Sequence, residues 1–278
     1  MKSQKRDSNQ IKASYHNERR GNASHNDREF LKGMTEEEIQ EKAPHIDRSR
    51  SKYNKLVCVY KDKTFEEAEL EFYKRNFQKF ADEKNRRAIK ARHKERANIT
   101  TKKLWESERT RPEETILQIG DMHDYPDNPK ILVKVFEELQ RYSNEITHKH
   151  AKMLDAALHM DESTPHIHIR KVWVYKENGI KKIGQEKALE QAGFKLPHPD
   201  EPRSRYNNRK RVYDQMMREK LYELCKEHGL EIDVVPDPHN VTHLTKQEFS
   251  QRLLEERREE REKRRRRKKE KKQELGEE

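Results

Sequence analysis

The sequence predicts an α+β fold: a mostly antiparallel sheet of about five strands, helices packed on one face, and a long charged C-terminal helix. Three observations lead there. Apolar runs of strand length alternate with amphipathic stretches of helix length, in the order strand, helix, strand, helix, strand pair, helix, strand. The central pair, residues 154–158 and 167–175, is separated by only eight residues, which predicts a hairpin. Apolar residues cluster between about 54 and 236, and both ends of the chain are too polar to bury a core.

Taken in order, residues 1–22 are polar and basic and read as a disordered tail. Thr35 and Glu38 sit at capping-box spacing and open a short helix that Pro44 ends. A polar loop, 45–54, leads to a strand at 56–60. Residues 64–97 then carry Phe65, Ala68, Phe72, Tyr73, Phe77, Phe80 and Ala81 on one helical face. Such a regular aromatic stripe is a core-packing face before it is a base-stacking surface. The helix's basic end, 86–94, is either a solvated face or a phosphate contact. A polar connection follows at 98–112, then a strand at 115–119. Pro126 and Pro129 introduce a helix over 130–149, and the hairpin comes next. A short helix spans 184–193, and 195–211 reads as an exposed basic loop. The helix at 212–228 is stopped by Gly229, and a last strand covers 230–235. From Thr245 the chain is one charged helix, with a block of positive charge at 264–272. The expected domains are thus the tail 1–22, a folded domain 23–240, and the charged helix or tail 241–278.

Composition narrows the partner. Of 278 residues, 30% are hydrophobic and 41% charged, and the net charge is +11. That bias favours a polyanion, nucleic acid before membrane, because no apolar anchor is present. Cys58 and Cys225 lack metal-ligand spacing and read as buried thiols of a reducing cytosol. No apolar h-region and no span of about 18 apolar residues occurs, so the expected location is cytoplasmic.

The densest chemistry lies in the hairpin, His159-Met160-Asp161-Glu162-Ser163-Thr164-Pro165-His166-Ile167-His168. Strand alternation puts His166 and His168 on one side, and Pro165 favours the turn that brings His159 to the same point. Three neutral imidazoles there would bind a divalent ion and leave positions open for oxygen ligands. Asp161 or Glu162 can stand behind them and orient a ring. A pair of histidines at alternate strand positions is weak on its own. A third histidine seven residues upstream makes a metal site the better reading than structural histidines. Two further clusters, His16-Asn17-Glu18-Arg19 and His25-Asn26-Asp27-Arg28, each pair an imidazole with a guanidinium three residues on. Histidine can act as nucleophile or base and arginine can hold a phosphate, although polar tails collect such residues by chance.

The spacing H-x-D-E-x-x-P-H-x-H, here His159 to His168, strongly resembles that of the MobV-type plasmid mobilisation relaxases, the Pre/Mob plasmid recombination family. The element H-N-x-R of that family is similar to His25-Asn26-Asp27-Arg28, preceded by Ala23-Ser24. The stretch from His45-Ile46-Asp47 to Asn54 and the segment Gln185 to Phe194 also resemble family elements, and the likeness spans roughly residues 22–235. Many members place a strand ahead of H-N-x-R, where this chain is polar.

The resemblance implies an HUH-relaxase-like fold and a bacterial, cytoplasmic enzyme. It implies Mn²⁺ or Mg²⁺ on His159, His166 and His168, and nicking and rejoining of one DNA strand at a transfer origin in plasmid mobilisation, conjugation or recombination. It implies a covalent 5′-phosphoryl enzyme with His25 as nucleophile; His16 and Tyr53 are the alternatives. Arg28 would clamp a phosphate, and Glu162 would orient a ligand or move a proton. Single-stranded or hairpin DNA would be held by Asn26, Asn54, Arg203, Arg205 and Arg209, and coupling or mobilisation proteins are further possible partners. Two rivals use the same residues differently. A metal-dependent phosphoesterase would lack the covalent step, and a non-enzymatic basic nucleic-acid binder would lack the reaction.

Overall fold

The computed structural model describes residues 11–18, 21–121 and 130–232. In chain order the elements are β1 (Ala13–Glu18), α1 (Ala23–Asn26), α2 (Glu36–Lys42), β2 (Lys55–Cys58), α3 (Phe65–Lys90), α4 (Thr101–Glu106) and β3 (Glu113–Ile119). There follow α5 (Lys130–Ile146), β4 (Ala151–His159), β5 (His166–Glu177), β6 (Ile180–Ile183), α6 (Gln185–Gln191) and α7 (Arg209–Glu227). The chain divides into two units, residues 1–32 with 49–234, and 33–48 with 235–278. In the second, the Thr35 hydroxyl accepts from Glu38 N and the Glu38 carboxylate from Thr35 N, the predicted capping box at the head of α2. The helix expected beyond 241, the block 264–272, Pro126, Pro129 and residues 233–235 lie outside the described residues. No helix among those described is long and apolar enough to cross a membrane.

The first unit is a six-stranded sheet in the order β1-β3-β5-β4-β2, with β6 added beside β5 and every pair antiparallel. Directly opposed residues in such a sheet point the same way, so the register assigns faces. One face presents Tyr15, Leu117, Ile119, Ala156, Leu158, Ile167, Ile169 and Trp173 to the apolar sides of α5 and α7. The other presents Val172 and Val174 to Tyr73, Phe77, Phe80 and Ala81 of α3, with Leu154, Leu104 and Ile183 beside them. The α3 stripe is therefore a core face, as its regularity predicts. Helices cover both faces, where the sequence predicts one. The reason is that β5 continues past its histidines into Val172 and Val174, whose apolar side needs cover.

Two strands are absent from the sequence-based expectation. Ala13–Glu18, expected as tail, pairs along its length with β3, from Ala13 opposite Ile119 to Glu18 opposite Glu114. As an edge strand it buries Tyr15 and exposes His16, Asn17 and Glu18, so its sequence carries almost no apolar signal. It supplies the strand ahead of H-N-x-R. Ile180–Ile183 follows Asn178-Gly179, whose φ values of 54° and 72° make the turn that twists with the strands it joins. That Asn-Gly pair is a hairpin signal present in the sequence. The last expected strand reduces, within the described residues, to one parallel bridge between Ile11 and Ile232.

The sheet carries a charged knot under α7. Glu113 accepts from Trp173 Nε1 at 3.1 Å and Gln185 Nε2 at 2.6 Å, and pairs with Lys171 at 3.3 Å and Lys210 at 3.1 Å. Burial pushes its carboxyl up, but the two ammonium groups and the indole outweigh it and hold the pKa at about 2, below the ordinary 4.5. A carboxyl depressed on folding contributes stability that is full above pH 4.5 and is lost as pH falls through about 2. We expect Glu113→Gln to destabilise the domain by about 3 kcal/mol at neutral pH, since it leaves the buried Lys171 ammonium without its carboxylate and Lys210 with Asp214 alone. The gap to the parent should narrow toward pH 2 in urea melts; a gap independent of pH would refute the assignment.

Candidate metal centre

β4 ends and β5 begins at the predicted histidine turn. His159 lies directly opposite His166, and His168 is two pairs further in, opposite Ala157. All three rings therefore project from one face, with centroids 4.7 to 5.3 Å apart. Their residues are buried, at 0%, 9% and 7% exposure.

Each ring has one nitrogen tied to an oxygen. His159 Nε2 meets the Asn26 carbonyl at 2.8 Å, and His166 Nδ1 meets that of Thr164 at 2.8 Å. His168 Nδ1 meets a Glu114 carboxylate oxygen at 2.7 Å. A carbonyl can only accept, so these nitrogens donate, and the opposite ones keep lone pairs. His159 Nδ1 is buried with no hydrogen-bond partner. His166 Nε2 and His168 Nε2 sit 2.9 Å apart, lone pair toward lone pair. A cation among the rings would satisfy all of these atoms, so the donor set fits a metal. Burial lowers the pKa of His159 and takes His168 down to about 3, which keeps both in the neutral, ligating form.

Within the first unit, two donor sets among the described residues close to within 4.8 Å: His25, His159 and His168, and His159, Glu162 and His166. Glu162 and His25 thus stand as near the centre as the predicted third histidine. Glu162 Oε1 is 3.5 Å from His159 Nδ1 and from His25 Nε2, and 2.8 Å from Arg28 Nη2. Burial would raise the Glu162 pKa; the imidazoles of His159, His25 and His166 and the charge of Arg28 overcome it and hold the group well below the carboxylate range. His25 stacks on Phe30 with centroids 5.3 Å apart, and its Nε2 is also 3.3 Å from Arg28 Nη1. Side-chain exposures of 15% for His25, 18% for Glu162 and 11% for His166 make these three the mouth of the site.

The turn itself is clamped from beneath. Asp161, fully buried, accepts from Arg28 Nη2 at 2.6 Å, Ser51 Oγ at 2.8 Å and Asn54 Nδ2 at 2.8 Å. Asn54 Oδ1 accepts from Met160 N at 2.7 Å, and Arg50 donates to the Glu162 carbonyl at 3.2 Å. Arg28 reaches these partners from a left-handed backbone, φ 64°, which a non-glycine residue adopts at a cost of order 1–3 kcal/mol. α1 is seated by its own residues: Asn22 caps it, Asp27 Oδ2 accepts from Phe65 N at the head of α3 at 2.7 Å, and Asn26 donates to Glu114 at 3.1 Å.

The predicted residues divide accordingly. His25, Arg28, Glu162, His159, His166 and His168 converge. His16 does not: it is exposed on β1, opposite Ile116 and so two strands out from His168, about 10 Å at ordinary strand spacing. Tyr53 is 56% exposed, with the Lys52 ammonium 5.1 Å above its ring, and joins none of the hydrogen bonds described. Asn26, expected on DNA, is 1% exposed and committed to Glu114 and, through its carbonyl, His159. Asn54 is likewise spent on the turn. Arg209 folds back on Glu186, Glu190 and the Phe194 carbonyl, and only Arg203 and Arg205 remain on an exposed loop. For Asn26 and Asn54 the cause is the same: a short polar side chain beside a buried turn is needed for its hydrogen bonds.

Sequence reasoning misses Glu114, Arg170, Glu69 and Gly21. Arg170 follows His166 and His168 on the same face and donates to Glu69 at 2.5 and 2.9 Å and to Glu114 at 3.0 Å. Gly21 passes so close that a Cβ would strike Glu114 and Arg170. The alternation His-x-His-x-Arg into an apolar strand is the available signal, since a buried guanidinium demands a carboxylate. Burial pushes the Glu114 pKa up, but the bond from His168 and the Arg170 charge bring it to about 2, so it accepts as a carboxylate. We expect Glu114→Gln to weaken Mn²⁺ binding about tenfold, the low end for an outer partner of a ligand histidine, without unfolding the domain. Unchanged affinity by calorimetry would refute its orienting role.

No protein-family model and no curated protein matches the chain. Among solved structures, it is similar to the Mn-bound MobM relaxase domain (MOBV; Mob_Pre) with 22-nucleotide, 3′-thiophosphate oriT DNA of plasmid pMV158 at pH 6.8. The TM-score is 0.51 at 19% identity, over 88% of this chain and 99% of that one. Mn-bound structures of the same domain at pH 5.5 and 4.6 align with TM-scores of 0.49 and 0.48 at 20% and 18% identity, over 87% of this chain and 98% and 99% of theirs. In fold, the chain is thus similar to a MOBV relaxase domain.

Proposed function

We propose that this protein is a MobV-type DNA relaxase, which nicks and rejoins one strand at a plasmid or mobile-element transfer origin through a covalent 5′-phosphoryl enzyme. The observation that carries the reading is the meeting of His25, Arg28 and Glu162 with three histidines whose ring centroids lie 4.7 to 5.3 Å apart. The Mn-bound, oriT-bound relaxase domain of similar fold supports it.

The ligands are His159, His166 and His168, with Glu162 adjacent. Three imidazole nitrogens favour Mn²⁺ over Mg²⁺, which prefers oxygen donors and its own waters. When bound, the ion supplies a positive charge to a non-bridging oxygen of the scissile phosphate. His25 is the nucleophile: an uncharged imidazole carries a lone pair without losing a proton, and its Nε2 lies 3.5 Å from the Glu162 carboxylate, whose charge favours the cationic ring formed on attack, and 3.3 Å from a guanidinium that can donate. Attack forms the P–N bond and breaks the P–O3′ bond, and the released 3′ oxygen takes up a proton. The reverse attack of a 3′ hydroxyl reseals the strand. Arg28 and the phenyl stack of Phe30 hold the ring, so little reorientation is needed at reaction.

His25→Ala is expected to abolish the adduct that survives denaturing gels while Mn²⁺ still binds. An oligonucleotide labelled on either side of the nick identifies the 5′ end as the attached one. An adduct mapped to His16 or Tyr53 would move the nucleophile, and cleavage without any adduct would favour a metal-dependent phosphoesterase. His166→Ala is expected to lower metal occupancy and nicking at least about tenfold with the circular dichroism unchanged. Full cleavage by that variant would overturn the site, and EDTA-indifferent DNA binding without cleavage would favour the non-enzymatic binder.

A further inference from the structure

The loop before α7 holds an aromatic ring in solvent with unusual care. Tyr206 is 69% exposed. The loop beneath it is fastened by its own side chains. Asn207, 3% exposed, donates to the carbonyls of His198 at 2.9 Å and Glu201 at 3.1 Å and accepts from His198 N at 3.0 Å. Ser204 Oγ accepts from the Tyr206 and Asn207 amides, and Asn208 donates to the Arg205 carbonyl at 2.8 Å while capping α7. A floppy loop would need none of this. The guanidinium carbons of Arg205 and Arg211 lie 5.8 and 5.9 Å from the Tyr206 ring centre.

Beside the ring is a cleft of about 550 Å³, lined among others by His198, Tyr206, Arg211, Gln215 and Arg218. Its one carboxylate, Asp214, is already bound by Lys210 at 2.5 Å and Asn17 at 3.1 Å. Among the described residues, no carboxylate pairs with Arg205, Arg211 or Arg218. The cleft therefore offers uncompensated positive charge around an open π-face. That combination suits a single strand, where each base has a face to stack and each link a phosphate. Asn17 ties the cleft to β1, and His16, the residue before it, lies on the histidine face two strands from His168. The edge strand β1 thus stands between the two sites.

We propose that this cleft is a second subsite for single-stranded DNA, in which a base stacks on Tyr206 and the flanking phosphates meet Arg205, Arg211 and Arg218. This rests on DNA being the substrate, and extends it to a place remote from the reacting phosphate. The test uses the full chain in EDTA and a fluorescent oligothymidylate that carries no origin, so neither metal nor nicking enters. Tyr206→Ala should weaken binding about tenfold or more, and Tyr206→Phe should bind like the parent, because stacking needs the ring and not the hydroxyl. Arg211→Gln should lower the slope of log K against log salt by about 0.7, one phosphate contact to a single strand. Parental affinity in Tyr206→Ala, an equal loss in Tyr206→Phe, or a preference for duplex DNA or RNA over the single strand would each overturn the subsite. Failure of the two readings is separable. Tyr206-dependent binding by a protein that forms no adduct sinks only the relaxase, and an adduct-forming protein indifferent to Tyr206→Ala sinks only the cleft.

Discussion

The pairing of Arg28 with Asp161 and Glu162 is the contact on which the arrangement depends. Two neighbouring carboxylates in a buried turn would be intolerable without a cation, since an unpaired buried charge costs several kcal/mol. Arg28 bridges both, at 2.6 and 2.8 Å. It lies two residues past a helix of four residues, α1, which is far too short to persist by its own hydrogen bonds. The clamp therefore works in two directions. It neutralises the turn that carries Glu162, and it fixes the segment that carries His25. Folding and site assembly at this end of the sheet are the same set of contacts.

A second charged chain runs down the same face. Glu69 of α3 accepts from Arg170 and from Trp105 Nε1 at 2.6 Å; Arg170 also reaches Glu114, which orients His168. Asp155, fully buried beside them, has its pKa raised by burial and by the nearby Glu69 and Glu114 carboxylates. The packing of an aromatic helix is in this way coupled to the direction of one imidazole. The high charge content thus has part of its use inside the domain, where polar partners satisfy one another, and not only on its surface.

What the sequence makes readable is local. The histidine turn, the α3 stripe and the capping box of α2 depend on neighbours within a few residues, and spacing alone predicts them. What it hides depends on register. Glu114 becomes a partner of His168 only because β3 lies beside β5 with Ile116 opposite His168, which no stretch of chain announces. β1 is hidden because an edge strand needs one buried side chain, Tyr15, to be held. Asn26 and Asn54 look like ligand-facing amides until the turn is built, and then their donors are already used. The Asn178-Gly179 turn is different: its signal was local, and only the strand after it was too short and too rich in lysine to stand out.

The pocket also bears on the choice of nucleophile in the proposed reaction. A tyrosine there would have to lose a proton from a group of pKa near 10 before attacking. Its phenolate would then sit beside the ionised Glu162, whose charge would oppose that ionisation. A neutral imidazole meets neither obstacle. It carries a lone pair without first losing a proton, and a carboxylate 3.5 Å away favours the cationic ring that forms as the P–N bond is made. The same carboxylate that would penalise a phenol assists a histidine. The charge of the turn, set by Arg28, therefore argues for His25 on electrostatic grounds independent of motif.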